Sequence, residues 1–528
     1  MAHFRAALPA LALAALSLAA APPTRAQLTD LSQTPNTENA GIGKSLPEEV
    51  GTGVGDLMTP GSSSFIIQRD PARAIRRGRQ LFQRKFTFAQ GFGPRVHDGS
   101  GNIEKQAAFG AGLIDSCAGC HGRPRGAAGF GGNVATRPDS RDAPHLFGLG
   151  LKQMLAEEIT ADLRTERERA RDEAARLHSD ASARLLSKGI DFGVIRVGAD
   201  GTVDTSGVRG VDTDLRVKPF FAQGGTTSIR EFVVGALNDE MGLQAVDPLL
   251  TSAAAGARVT SPTGTVFDGR ADIVKAPSAT STLDDPDNDG ARNEFPASLV
   301  DYVEFYLFNY FPPATYRQTP FTRMGLALMR KVGCNSCHVQ DLRIERDRRV
   351  ADVKTTYDRR LGLMNQLYAT AALQVTEHDD GSGYPTIKQA DNRPYVVHDI
   401  FSDFRRHDLG PAFHERNYDG SMQKSFMTTP LWGVGSTGPY GHDGRSINLR
   451  EVILRHGGEA LQSRQAFEAL PEGAKAAILE FLGTLVLFPP DDTASNLDPG
   501  NPAAPGFPQH GHGSINLSVL YNDPAEAE

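Results

Sequence analysis

Two stretches, "DSCAGCHGRPRG" at 115–126 and "VGCNSCHVQDL" at 332–342, each hold Cys-x-x-Cys-His. The chain has four cysteines in 528 residues, and these two stretches use all of them. Thiols three residues apart match the two vinyl groups on one edge of a porphyrin, and the next residue, a histidine, then sits under the iron as axial ligand. Three other readings compete. A zinc site wants its Cys/His pairs close together, and here they lie 214 residues apart. A thioredoxin-like Cys-x-x-Cys needs neither the histidine nor a second copy. Structural disulfides would not repeat the pattern. The spacing therefore predicts two covalent haem c groups, at Cys117, Cys120 and His121, and at Cys334, Cys337 and His338.

Haem c attachment belongs to exported proteins, and the first 26 residues read as an export signal. A basic start (Arg5), a short apolar run and a small-residue site ending at Ala26 make a secretory leader, too short for a comfortable membrane span. An uncleaved anchor is the alternative. No later stretch is apolar enough to span, so the expectation is a soluble, periplasmic chain. The formal charge of −8 moves to near −10 once Arg5 and Arg25 are removed. That balance argues against nucleic acid as a partner. It would suit a basic redox partner, although an acidic surface is also an ordinary solubility device.

The chain repeats itself beyond the cysteines. "RRGRQLFQRKF" precedes the first site and "RMGLALMRKVGC" the second, both with Gly-x-x-Leu beginning at Gly78 and Gly325, and both with apolar residues at helical spacing. "LVDYVEFYLFNYFPPA" and "AAILEFLGTLVLFPPD" close the two halves as apolar helices stopped by Pro-Pro. The predicted class is mainly α: two tandem cytochrome c-like domains at 70–315 and 316–492, each with one covalent haem c. An extended arm (27–69) would precede them, and a Pro/Gly-rich tail (493–528) would follow. The first half is longer. It carries "LKQMLAEEITADLRTERERARDEAARLHSDASARLL", read as a long charged helix, and "GIDFGVIRVGADGTVDTSGVRG", read as a hairpin.

The halves differ where an iron would need its second ligand. Aligning Ile229-Arg230-Glu231 with Leu449-Arg450-Glu451 puts Ala236 where His456 stands. If His456 binds the second iron, the first keeps an open position, and Glu240, one turn on, could act there as acid/base. The alternatives are a helix-end histidine that suits the dipole and an ordinary solvated carboxylate.

At these residues the chain resembles the dihaem cytochrome c peroxidase/MauG superfamily, and most closely its dihaem oxidoreductase branch, whose members are sometimes labelled thiol oxidoreductases. The resemblance covers about 70–490 and is most specific in "SDFRRHDLGPAF…TTPLWGVGSTGPYGHDGRSINLREVILRHGGEA". It implies a second-haem ligand 14 residues after the His-Asp-Gly histidine. Counting from His442 gives His456, hence a bis-His second haem with His338. It also implies division of labour: a small donor (cytochrome c or cupredoxin) feeds the second haem, and hydrogen peroxide is reduced at the first with a glutamate, here matched by Glu240. Two further readings stay open, a pure electron-transfer cytochrome and MauG-like oxidation of a protein or organic substrate. The thiol label finds no support, since no cysteine is left over. His145 stands where peroxidases of the family carry a removable ligand, and could equally be a pocket or packed residue. Trp432, the chain's one tryptophan, stands for the family's bridging tryptophan or a core residue. His407, His442 and Asp443 are expected near the second haem edge. Asp285, Asp287 and Asp289 resemble the start of a calcium loop, although Glu294 falls short of its twelfth position, and a solvated acidic turn fits as well.

Overall fold

The computed structural model describes residues 58–59, 61–86, 114–122, 128–134, 141–285, 292–310, 312–315, 318–350, 352–354, 372–374, 377–378, 386–387, 392–417 and 419–487. The leader, most of the arm and the tail lie outside these, as do Asp287 and Asp289.

Two helix pairs organise the two halves. Asp70 caps the helix Pro71–Gln83, its side chain accepting from the Arg73 N–H, with proline at the first position. Thr319 and Thr322 form a reciprocal capping box on the helix Pro320–Lys331, again with proline first. The first helix packs on Ala297–Phe308 and the second on Glu472–Leu482. Each crossing rests on the repeated glycine. A Cβ on Gly78 would lie 2.1 Å from the Tyr302 carbonyl oxygen, and one on Gly325 would lie 2.0 Å from that of Ala477. Only glycine lets these backbones approach so closely.

The Ala297 helix is buried on every side, including Asp301 and Glu304. Those carboxylates are tolerable because Arg230, fully enclosed, reaches Asp247 and Asp301 at 2.7 Å and Glu304 at 2.9 Å. Ser63 donates to Asp301, and Ser261 and Thr263 donate to Glu304. This network ties the helix Ile229–Met241 to the Ala297 helix. In the other half the matching Arg450 is exposed and pairs with Glu472 on the surface.

The architecture is not mainly α, nor is it two helical cytochrome c-like domains. Helix makes up 39% and strand 16% of the described residues, so the chain is mixed α and β. Eight two-stranded sheets and one three-stranded sheet run between the helices, all antiparallel where paired. The segment read as one long helix divides: Leu149–Leu177 is helical, but Ala181–Ser187 is a strand paired with Ile190–Val197, to which Val203–Asp204 adds. Elsewhere the strands are two to four residues long, and several find partners far away. Leu342–Ile344 pairs with Tyr395–Val397, Arg406–Asp408 with Ser425–Met427, and Ala314–Thr315 with Leu485–Val486. What reads as loop thus satisfies its backbone groups by long-range pairing.

The larger apolar core gathers residues of the first half with Leu342, Ile344, Ile400, Phe404 and Trp432 from the second. A smaller core, around Met329, Phe401, Phe467, Ile478 and Phe481, underlies the second cysteine pair. Among the described residues no helix is long and apolar enough to cross a membrane.

Candidate functional site: two Cys-x-x-Cys-His centres

At the first centre, Cys117–His121 is a single helical turn capped by Ser116, whose side chain accepts from the Gly119 N–H. The turn presents the sulfurs toward the last turn of the Ile229 helix. Cys117 Sγ lies 4.0 Å from Met241 Sδ. Burial, and then the nearby charge of Glu240, push the Cys120 thiol up to about 12. At the second centre the pair sits in the tight turn Cys334–Ser336 after Gly333, whose φ of 88° suits glycine. All four thiols are free of disulfides.

Three histidines share one arrangement. His121 Nδ1 donates to the Pro144 carbonyl at 2.7 Å, His338 Nδ1 to that of Phe401 at 3.1 Å, and His456 Nδ1 to that of Val452 at 2.8 Å. A carbonyl on Nδ1 fixes the tautomer and leaves Nε2 as the ligating nitrogen. Burial holds His121 and His338 down to about 4 and lowers His456 as well. All three are therefore neutral at pH 7, as a metal ligand must be. His456 is near enough to His338 to lower it further. This donor set fits haem iron: one histidine from the motif at the first centre, and at the second the motif's His338 with His456 nearby.

The helices that would face the two irons begin alike. A bridge joins Phe220 to Thr226, and another joins Tyr440 to Ser446. Gly224 and Gly444 both take positive φ, 71° and 63°. Ser228 caps the Ile229 helix by accepting from Glu231 N, and Asn448 caps Leu449–Arg455 by accepting from Glu451 N. Glu231 accepts in turn from Thr227 N and Glu451 from Ile447 N. Every one of these pairs is offset by 220 residues, which sets Ala236 opposite His456.

The other singled-out residues fall into place around these centres. Asp443 grips Arg455 at 2.7 and 3.2 Å, and so holds the turn that ends in His456. Phe413 lies under Arg455 and edge-on to His456. His442 stacks on Phe426 at 4.0 Å, and burial lowers it to about 4. His407 behaves differently. Burial opposes its charge, but the bond to Asp403 and the contact with Cys337 outweigh that and lift it to about 10. Cys337, Asp403 and His407 bring donor atoms within 4.8 Å of one another. His407, however, spends Nε2 on Asp403 and Nδ1 on Glu459, each at 2.8 Å, so it is a clamp rather than a ligand.

His145 is also spent. Nε2 donates to the Trp432 carbonyl at 3.0 Å, and Nδ1 accepts from Phe147 N at 3.2 Å. Trp432 is buried with the tip of its indole against Gly148, and the preceding Leu431 N–H bonds to Ile400, next to the Phe401 carbonyl that holds His338. It thus joins the surroundings of the two centres. Of the calcium candidates only Asp285 is described, and Glu294 accepts from Gln244 N instead. The reading from sequence missed the carbonyls of Pro144 and Phe401, which carry no side-chain signal. It also missed the Asp403–His407–Glu459 clamp, whose members are spread over 57 residues, and Lys152.

Two Cys-x-x-Cys-His centres with neutral, backbone-oriented histidines are suited to hold two haems. The comparisons agree: residues 348–485 match the family described as "Di-haem oxidoreductase, putative peroxidase". Over that segment the chain is similar to the dihaem oxidoreductase/peroxidase family. The matched segment holds His407, Trp432, His442 and His456 and begins just after the second cysteine motif. A comparison with curated proteins finds no match.

Proposed function

We propose that this chain is an exported peroxidase with two covalent haem c groups, reducing hydrogen peroxide at the first centre with electrons received at the second. The carrying observation is the shared register of the two capped helices, which sets Ala236 against His456. Bound haem supplies the iron at which peroxide accepts two electrons and, with two protons, becomes two waters. Cys117 and Cys120 hold the group at the first centre, and His121 Nε2 ligates from one side. Ala236, at the place matching His456, would offer no ligand on the other side. Glu240 can take a proton from one peroxide oxygen and return it to the leaving one. At the second centre His338 and His456 would together hold the iron, which would suit electron transfer from a small cytochrome c or cupredoxin rather than substrate binding. His145 has both nitrogens engaged, so among the described residues it does not offer itself as a cap for the first iron.

The test is peroxide-dependent oxidation of a reduced small carrier by the holoprotein. Glu240→Gln should cut turnover by ~10²–10⁴-fold with both haems retained. Full activity in that variant would remove Glu240 from the reaction, and no turnover with any reduced carrier would remove the peroxidase reading.

A further inference from the structure

Among the described residues, Lys152 is a cation with no carboxylate partner. It lies in the first turn of the Leu149 helix, is only partly exposed, and has a single contact of note, its ammonium 5.6 Å from the centre of the Phe220 ring. Burial alone holds it down to about 8. An enclosed ammonium without a counter-charge is costly to keep, and such a position makes sense where an anion arrives later.

Its place in the fold says which anion. Phe220 packs on Phe232, as does Phe221 at 5.2 Å. Phe232, Ala236 and Glu240 recur every fourth residue along the Ile229 helix and so share one face. Glu240 and Met241 end that face beside Cys120 and Cys117, and Phe232 begins it beside Phe220 and Lys152. Eight helical residues span about 12 Å at 1.5 Å each. That helix face therefore has the thiols at one end and Lys152 at the other. A haem bound through its vinyl edge to the thiols turns the opposite edge, with its two propionate carboxylates, toward that cation.

We propose that Lys152 is the propionate anchor of the first centre, an ion pair that orients the haem and tunes its potential. This rests on the reading of Cys117–His121 as a haem site, and it is independent of whether peroxide is the substrate. The expected effects follow from charge. A cation beside haem favours the reduced form, so its removal lowers the potential.

The experiment is spectroelectrochemical titration and resonance Raman of the oxidised and reduced holoprotein, comparing wild type with Lys152→Met, Lys152→Gln and Lys152→Arg. Both uncharged variants should lower the midpoint potential of the first haem, leave the second haem unmoved, and shift the propionate bending band to lower frequency. Lys152→Arg should restore both readouts. Two haems per chain with unchanged first-haem potential and band in Lys152→Met and Lys152→Gln would overturn the anchor alone. A wild-type chain with haem only at Cys334–His338 would overturn the anchor together with the first-centre reading.

Discussion

The Ile229 and Leu449 helices start from the same local structure and end differently. Ser228 and Asn448 cap them, Glu231 and Glu451 close the caps, and a left-handed glycine precedes each by four residues. Eight residues past the cap stands Ala236 in one and His456 in the other. The Leu449 helix stops at Arg455, and the chain folds down so that Gly457 N bonds Leu409 O and Glu459 reaches His407. The Ile229 helix runs on for another turn and a half, carrying Glu240 and Met241 over the first cysteine pair. Under the proposed function, one scaffold would give a closed centre where the helix ends early on a histidine, and an open one where it continues past an alanine. The arginines differ in the same sense: Arg230 is buried under the larger first half, and Arg450 is left on the surface.

Exchanging the two residues should exchange the two behaviours, and this is the largest effect expected. Ala236→His should convert the first haem to a six-coordinate low-spin form and abolish peroxide turnover. His456→Ala should open the second haem, which would appear as a new high-spin ferric signal in that variant's spectrum. If Ala236→His keeps full turnover and a high-spin first haem, the helices are not equivalent. Next come the glycines on which both helix pairs cross. Gly78→Ala and Gly325→Ala each force a Cβ into a backbone carbonyl and should cost about 1–3 kcal/mol or more in denaturant unfolding. Equal and small losses would mean the crossings can open. The smallest effect concerns His407. Because folding raises His407 from its ordinary value to about 10, its contribution is complete below about pH 6.5 and is lost as pH rises through 10. Thermal midpoints should therefore fall over that alkaline window in wild type and fall less in His407→Gln.

Much of the site could be read from sequence because its chemistry depends on side chains at fixed spacing. Cys-x-x-Cys-His and the alignment of Arg230-Glu231 with Arg450-Glu451 needed no structure. The fold class could not be read in the same way. Strands such as Arg406–Asp408 or Glu415–Arg416 are too short to show alternation, and Leu342–Ile344 meets its partner 51 residues later, so no local period announces them. The supports of the histidines were hidden for a related reason. Pro144 and Phe401 act through their carbonyls, and any residue type has one. Lys152 did leave a trace: it is the charged residue in an otherwise apolar opening, "LGLKQML", of a helix that becomes charged only later.

The central claim is that one centre is open and the other closed, and electron paramagnetic resonance of the fully oxidised holoprotein tests it most directly. One high-spin and one low-spin ferric signal in equal amounts are predicted. Two low-spin signals, persisting after one-electron reduction, would contradict the claim.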